Sequence, residues 1–255
     1  MKTSISFNKP WKQKLIAGLF WLLLWGGLSA VIHKEIYLPS PYTTLKQVVI
    51  NLSLPEGWLI LGLSWIRVWG GFFLSFSLGI LLGFPSGLIS GIYTWLEPMV
   101  QIIKSTPVIA LILLVLIWVP SDLVPLIISF LIGFPVIWAQ TTEGVRRTDP
   151  KLLEMARVFH LSPIKRMKQI YFPSAWPAIR HASQTAVGLC WKASVAAEVL
   201  SHPRLAIGSK LYDAKVYLET PDLFAWTMIL ILASMITEKV FVAFFHQRRD
   251  LNANH

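Results

Sequence analysis

The sequence predicts an all-α membrane protein with six transmembrane helices, and three observations lead there. Hydrophobic residues fill 55% of its 255 positions and charged residues only 14%, against about a quarter charged in ordinary soluble domains. Six stretches approach the roughly 20 apolar residues that a helix needs to cross a hydrocarbon core about 30 Å thick. The basic residues behind the formal net charge of +10 fall between those stretches. They are not gathered on one groove or helix face, so nucleic acid is not the expected partner.

In chain order the spans are 15–33, 62–84, 93–118, 123–142, 176–199 and 223–245. The first follows Lys2, Lys9, Lys12 and Lys14, as a signal peptide would. Its apolar run is too long for one, and it enters Tyr37-Leu-Pro-Ser-Pro41 without a small-x-small cleavage site, so it reads as a retained helix. The second carries Gly70, Gly71, Gly79 and Gly83, with Gly79 and Gly83 four apart as close helix packing requires. Pro107, Pro125 and Pro135 lie inside the third and fourth spans, where they predict kinks more than breaks. The fifth holds Lys192 and ends at Glu198.

With the amino terminus inside, sixteen Lys and Arg fall on the inner side and five on the outer. That bias predicts cytoplasmic termini. The chain reads as one transmembrane domain, 1–255, with inner tails at 1–14 and 246–255 and an inner loop at 148–173. No internal repeat stands out, which disfavours transporters built from inverted halves. Cys190 is the only cysteine, and the six His are scattered without metal-ligand spacing, so no metal centre is expected. There is no Gly-x4-Gly-Lys-Ser/Thr cradle for ATP phosphates.

The inner loop carries the most specific pattern. Asp149 before Pro150, and Ser162 before Pro163, each pair an N-cap with a proline at the first helical position. They predict two short helices, the first with Leu152, Leu153 and Ala156 on an apolar stripe and Lys151, Glu154 and Arg157 elsewhere, the second running to about Tyr171 and ending before Pro173.

Glu154-Met155-Ala156, position 160, Ile170 and Phe172-Pro173 resemble the loop motif Glu-Ala-Ala-x3-Gly-x9-Ile-x-Leu-Pro of permeases from binding-protein-dependent ABC importers, with His160 in place of the glycine and Phe172 in place of the leucine. Over roughly 38–245 the resemblance continues, through Leu38-Pro-Ser-Pro41, Trp65-Ile-Arg67 to Gly83, Glu97-Pro98, Lys104-Ser-Thr-Pro107 and Gly188 to Glu198, toward the nitrate, sulfonate, taurine and bicarbonate subgroup. It implies the type I importer permease fold in a bacterial plasma membrane, with cytoplasmic coupling helices. The implied partners are a second, identical permease, two ABC ATPase subunits that bind ATP and magnesium, an extracytoplasmic solute-binding protein and the lipid bilayer. This chain itself would hold no cofactor and catalyse no reaction.

The resemblance places Asp149, Leu152, Leu153, Glu154, Ala156, Arg157, His160, Leu161 and Pro173 in the ATPase-coupling loop. A histidine at position 160 tolerates the left-handed turn at some cost. Lys104, Ser105, Thr106, Trp191, Lys192 and Ser194 are candidate pathway residues, each with an ordinary packing explanation beside it. Lys192 either attracts an anionic solute or serves as a structural or snorkelling charge. Arg67 and Glu198 either pair as an outer gate or stand apart as interfacial anchors. The implied solute is a small organic or inorganic anion such as nitrate, a sulfonate or taurine. The alternatives are a neutral or heterocyclic nutrient in the same architecture, or a stand-alone secondary transporter. The latter would need a chain of membrane carboxylates or a repeat, and an intramembrane enzyme would need paired catalytic groups; neither pattern is present.

Overall fold

The structure, a computed structural model, describes the backbone of residues 10–252 and the side chains of 13–243. Residues 1–9 and 253–255 of the expected tails lie outside it. Every regular element among the described residues is helical: α1 (Pro10–Ile32), α2 (Pro41–Ser53), α3 (Pro55–Leu88), α4 (Ser90–Ser105), α5 (Val108–Leu116), α6 (Val124–Arg146), α7 (Pro150–Val158), α8 (Pro163–Arg166), a π turn (Met167–Tyr171), α9 (Phe172–Ser201), α10 (Ile207–Val216) and α11 (Thr220–Asn252).

Four of these are long and apolar enough to cross a membrane, over Gln13–Ile32, Pro55–Leu88, Val124–Arg146 and Thr220–Ala243. The expected span 93–118 is broken: α4 and α5 meet at 102°. Pro107 was expected to kink this segment, yet it ends the helix. Thr106 before it is extended (φ −80°, ψ 128°), the conformation that a following proline imposes. Pro125 and Pro135 leave α6 whole. At 30 residues, about 45 Å at 1.5 Å per residue, α9 is long enough to span. Its Arg180, His181, Lys192 and Glu198, together with its small buried residues, keep it out of the strongly apolar group.

The chain divides into two compact units, residues 1–58 with 210–229 and residues 59–209 with 230–255. Within the first, Asp222 accepts hydrogen bonds from Asn51 (2.7 Å) and Gln47 (3.3 Å). Trp25 stacks on Phe224 and donates to the Pro39 carbonyl.

In the second unit α6 packs along α9, and α4 and α5 pack on α6. Its core is made of Ile112, Val124, Ile128, Ala193 and Ala197 at one level and Phe84, Val145, Ala175 and Ile179 at another. The expected close packing at Gly79 and Gly83 is present. A methyl at Gly79 would lie 2.7 Å from Ile137, and one at Gly83 the same distance from Thr141. The approach lets polar side chains bond across to the facing helix: Ser75 to the Phe130 carbonyl, Ser129 to Val68, Thr142 to Gly83 and Trp138 to Ser86. Such bonds and small contacts hold helices together where lipid gives no hydrophobic drive.

Candidate functional site

The loop after α6 is built as its sequence signals indicate. Asp149 caps α7 by accepting the Lys151 amide (2.9 Å), and Ser162 caps α8 by accepting that of Lys165 (3.4 Å). Between them the chain turns at His160, which lies in the left-handed region with φ 48°. Its amide donates to the Arg157 carbonyl and that of Leu161 to the Ala156 carbonyl. This is the paired closure that usually employs glycine at the left-handed position. Histidine replaces the motif's glycine here while the turn keeps its form.

The helices differ from expectation at two points. Along the expected apolar stripe Leu152, Leu153 and Ala156 are unequally covered. Ala156 is 1% exposed, Leu153 and Leu161 are half-buried, and Leu152 is open. The open apolar surface is instead Leu152, Met155, Val158, Phe159 and Ile164, with Val158 at 74% and Phe159 at 71%. Leu152, Met155 and Phe159 recur at three- and four-residue steps, a second stripe that the sequence reading missed. Asp149, Glu154, Arg157, His160 and Pro173 are also exposed.

The second helix also does not stop before Pro173. It runs through a π turn into α9, where the Phe172 amide bonds back to Met167, five residues earlier. A turn of that width eases the clash between a proline ring and the carbonyl four residues before it.

A second constellation joins α3, α9 and the segments at their ends. Glu198 is fully buried. Its Oε1 accepts from Arg67 Nη1 at 3.4 Å and its Oε2 from the Gly208 amide at 3.0 Å. Arg67 also donates to the Leu205 carbonyl (2.8 Å), to the Asp122 carbonyl (3.2 Å) and to the Asp122 carboxylate (3.3 Å). Next to them the Ser64 hydroxyl accepts the Ile207 amide. Arg67 and Glu198 therefore pair, as one of the two sequence readings had it. Ser64, Asp122, Leu205 and Gly208 were missed. The short link from Ser201 to Ile207 was the available signal, because it forces the start of α10 back beside the end of α9. A methyl at Gly208 would collide with Glu198 Cβ, so the approach needs glycine.

The candidate pathway residues divide into two sets. Lys192 is exposed on α9, in line with exposed His181, Thr185 and Ala196, while Gly188 between them is half-buried where the Glu238 carboxylate of α11 approaches. Lys104 and Ser105 are exposed and Thr106 half-buried at the break between α4 and α5. Trp191 and Ser194 are buried on the packed side of α9, so they line no open surface of this chain. Neither the Trp191 ring nitrogen nor the Ser194 hydroxyl has a hydrogen-bond partner among the described residues.

Residues 75–249 match the family described as binding-protein-dependent transport system inner membrane component. The putative aliphatic sulfonates transport permease protein SsuC of Bacillus subtilis is 28% identical over 236 residues, 89% of this chain and 83% of its own. The bicarbonate transport system permease protein CmpB of Synechocystis is 30% identical over 151 residues, 54% of this chain and 51% of its own. Among solved structures, an amino acid ABC transporter superposes with a TM-score of 0.54 at 16% identity, over 87% of this chain and 97% of its own. The MetNI methionine ABC transporter in an inward-facing form gives the same score and identity, over 73% of this chain and 93% of its own. At that identity the likeness establishes the fold.

Proposed function

The chain belongs to the inner membrane components of binding-protein-dependent transport systems, and from that premise we propose how this importer permease, which does not itself catalyse ATP hydrolysis, is arranged and used. Six spans cross the membrane: α1, α3, the broken pair α4–α5, α6, α9 and α11. Both termini and the loop 148–173 are cytoplasmic. A second copy of the chain completes the pathway, two ATPases dock on the loops, and a solute-binding protein delivers cargo on the outer side.

The observation that carries this reading is the apolar surface of Leu152, Met155, Val158, Phe159 and Ile164, held open on two short helices beside seven Lys and Arg from Arg146 to Lys168. A patch of this kind outside the lipid-facing helices marks a protein contact. Its attachment to α6 and α9, the packed centre of the second unit, gives a docked ATPase a lever on the pathway. Lys192 and its stripe on α9 face that pathway, with Lys104 and Ser105 at the α4–α5 break, and Arg67 with Glu198 forms the outer gate.

The cargo is a small anion, of the sulfonate or bicarbonate kind carried by the similar permeases. An exposed cation inside a span fits a water-filled route better than lipid.

The test is co-purification with the ATPase. Phe159→Ser and Leu152→Asp should abolish capture and coupled ATP hydrolysis while the permease stays monodisperse with an unchanged melting temperature. Full capture by both variants would remove the loop from the interface.

A further inference from the structure

Beside the half of α6 that leads into the loop 148–173, α4 and α6 line a half-open cavity of about 250 Å³. At about 30 Å³ of liquid per water it has room for roughly eight waters, enough for a small organic ion.

Its groups are fixed in place. Tyr93 donates its hydroxyl to Glu97 (2.8 Å) and stacks on Trp138 at 5.5 Å and 11°. The Arg146 guanidinium lies 3.9 Å from the centroid of the same ring. Glu143 is held by Arg147 at 2.6 Å. Both carboxylates therefore already have a donor. Lys104, Gln101 and Gln140, which also line the cavity, have no hydrogen-bond or ion partner among the described residues. The uncommitted side chains are an ammonium and two amides, with the Arg146 guanidinium beside them; once Arg147 is set against Glu143, the three cations Lys104, Arg146 and Arg147 stand against the two carboxylates Glu97 and Glu143, an excess of one positive charge. Trp138 and Val100 add an apolar wall.

We infer that this cavity binds a small anion bearing a cluster of acidic oxygens, a sulfonate, carboxylate or phosphate group, held by Lys104 and Arg146. Arg146 presents several N–H donors in a plane that matches such a group, and its stacking on Tyr93 reduces the ordering cost on binding. The site goes beyond the pathway role given to Lys104, and it rests on the transport reading only where the occupant is cargo. The same chemistry has two sources: solute leaving the pathway, or an anion already present on that side of the membrane.

The experiment uses the full chain purified with its ATPase, carrying Ala139→Cys at the cavity wall; Cys190 is buried and stays silent. Labelling by N-ethylmaleimide is timed with methanesulfonate, inorganic phosphate or tetramethylammonium added. Either anion should slow labelling at least fivefold and the cation should not. Lys104→Gln and Arg146→Gln should each raise the half-protecting concentration tenfold or more, and Lys104→Arg should restore it.

Protection by methanesulfonate alone assigns the site to solute, and protection by phosphate, alone or in addition, assigns it to a resident anion. Protection by neither anion, equal protection by the cation, or unchanged half-protection in both glutamine variants overturns the proposal. Labelling reads occupancy without uptake or ATP hydrolysis, so its failure is separable from failure of the transport reading.

Discussion

Removing the cation beside Glu198 should cost more than removing Glu198's own charge, and the structure sets the size of the difference. In Arg67→Met the carboxylate stays fully buried and keeps the Gly208 amide and the Ser64 hydroxyl but no cation, the situation in which a stranded charge costs about 3–5 kcal/mol. At about 2–4 °C per kcal/mol for a chain of this size, the melting temperature should fall by roughly 6–20 °C. Glu198→Gln keeps an acceptor for Gly208 and leaves Arg67 its bonds to Leu205 and Asp122, so its loss should be smaller, about 1–2 kcal/mol. Asp122→Asn touches a pair whose acid is 67% exposed and should cost about 1 kcal/mol or less. The double variant Arg67→Met/Glu198→Gln removes the stranded charge and should melt above Arg67→Met alone, with a coupling energy of about 1–3 kcal/mol. The assay is thermal unfolding of the purified permease in nanodiscs at one fixed scan rate, because membrane complexes often unfold irreversibly. If Arg67→Met melts with the wild type, or the double variant loses the sum of the single losses, the two residues are independent anchors and the gate is wrong.

Gly83→Val should push α3 off Thr141 and cost at least about 1–3 kcal/mol, read as a lower melting temperature, whereas Gly62→Ala, with open space around it, should be neutral. His160→Gly should stabilise the loop by up to about 1 kcal/mol and His160→Val should destabilise it by about 1–2 kcal/mol, since glycine takes the left-handed turn freely, histidine at some cost and a β-branched residue at the greatest cost; equal melting of all three would mean the turn is not held. Lys192→Met should reduce reconstituted anion uptake at least tenfold with the complex intact; full uptake would leave Lys192 a snorkelling charge.

The helical class, the family and the two capped helices of the loop after α6 were legible because each rests on local signals: apolar length, a spaced motif and cap-and-proline pairs. What the sequence left open depends on which side of a helix meets another. Ala156 and Met155 are adjacent apolar residues, and only the packing of α7 against the rest of the chain decides that one is buried and the other open. Pro107 and Pro135 are alike in sequence. One stands at the break between α4 and α5, and the other sits buried inside an unbroken α6. The Arg67–Glu198 pair was weighed as one reading because both charges sit at the same end of their spans. Gly208 and Ser64 escaped because their role is to let a backbone approach, which leaves no charge or periodicity to see. Lys104 was singled out from the sequence as a pathway candidate, but its grouping with Gln101, Gln140 and Arg146 around the α4–α6 cavity escaped, because Gln140 and Arg146 come from a second helix and only packing brings the two rows together.

The π turn at Met167–Tyr171 has a consequence for everything downstream of it. A five-residue ring in place of a four-residue one admits an extra residue, so α9 emerges about 100° out of phase with the helix that an unbroken α8 would have continued. The azimuth of His181, Thr185 and Lys192 is therefore set ten or more residues before them, at the joint with the loop that follows α6. Deleting one residue there would turn the line of His181, Thr185 and Lys192 toward the packed core while changing no side chain on α9, so this joint fixes the rotation of the helix without placing a residue on either face.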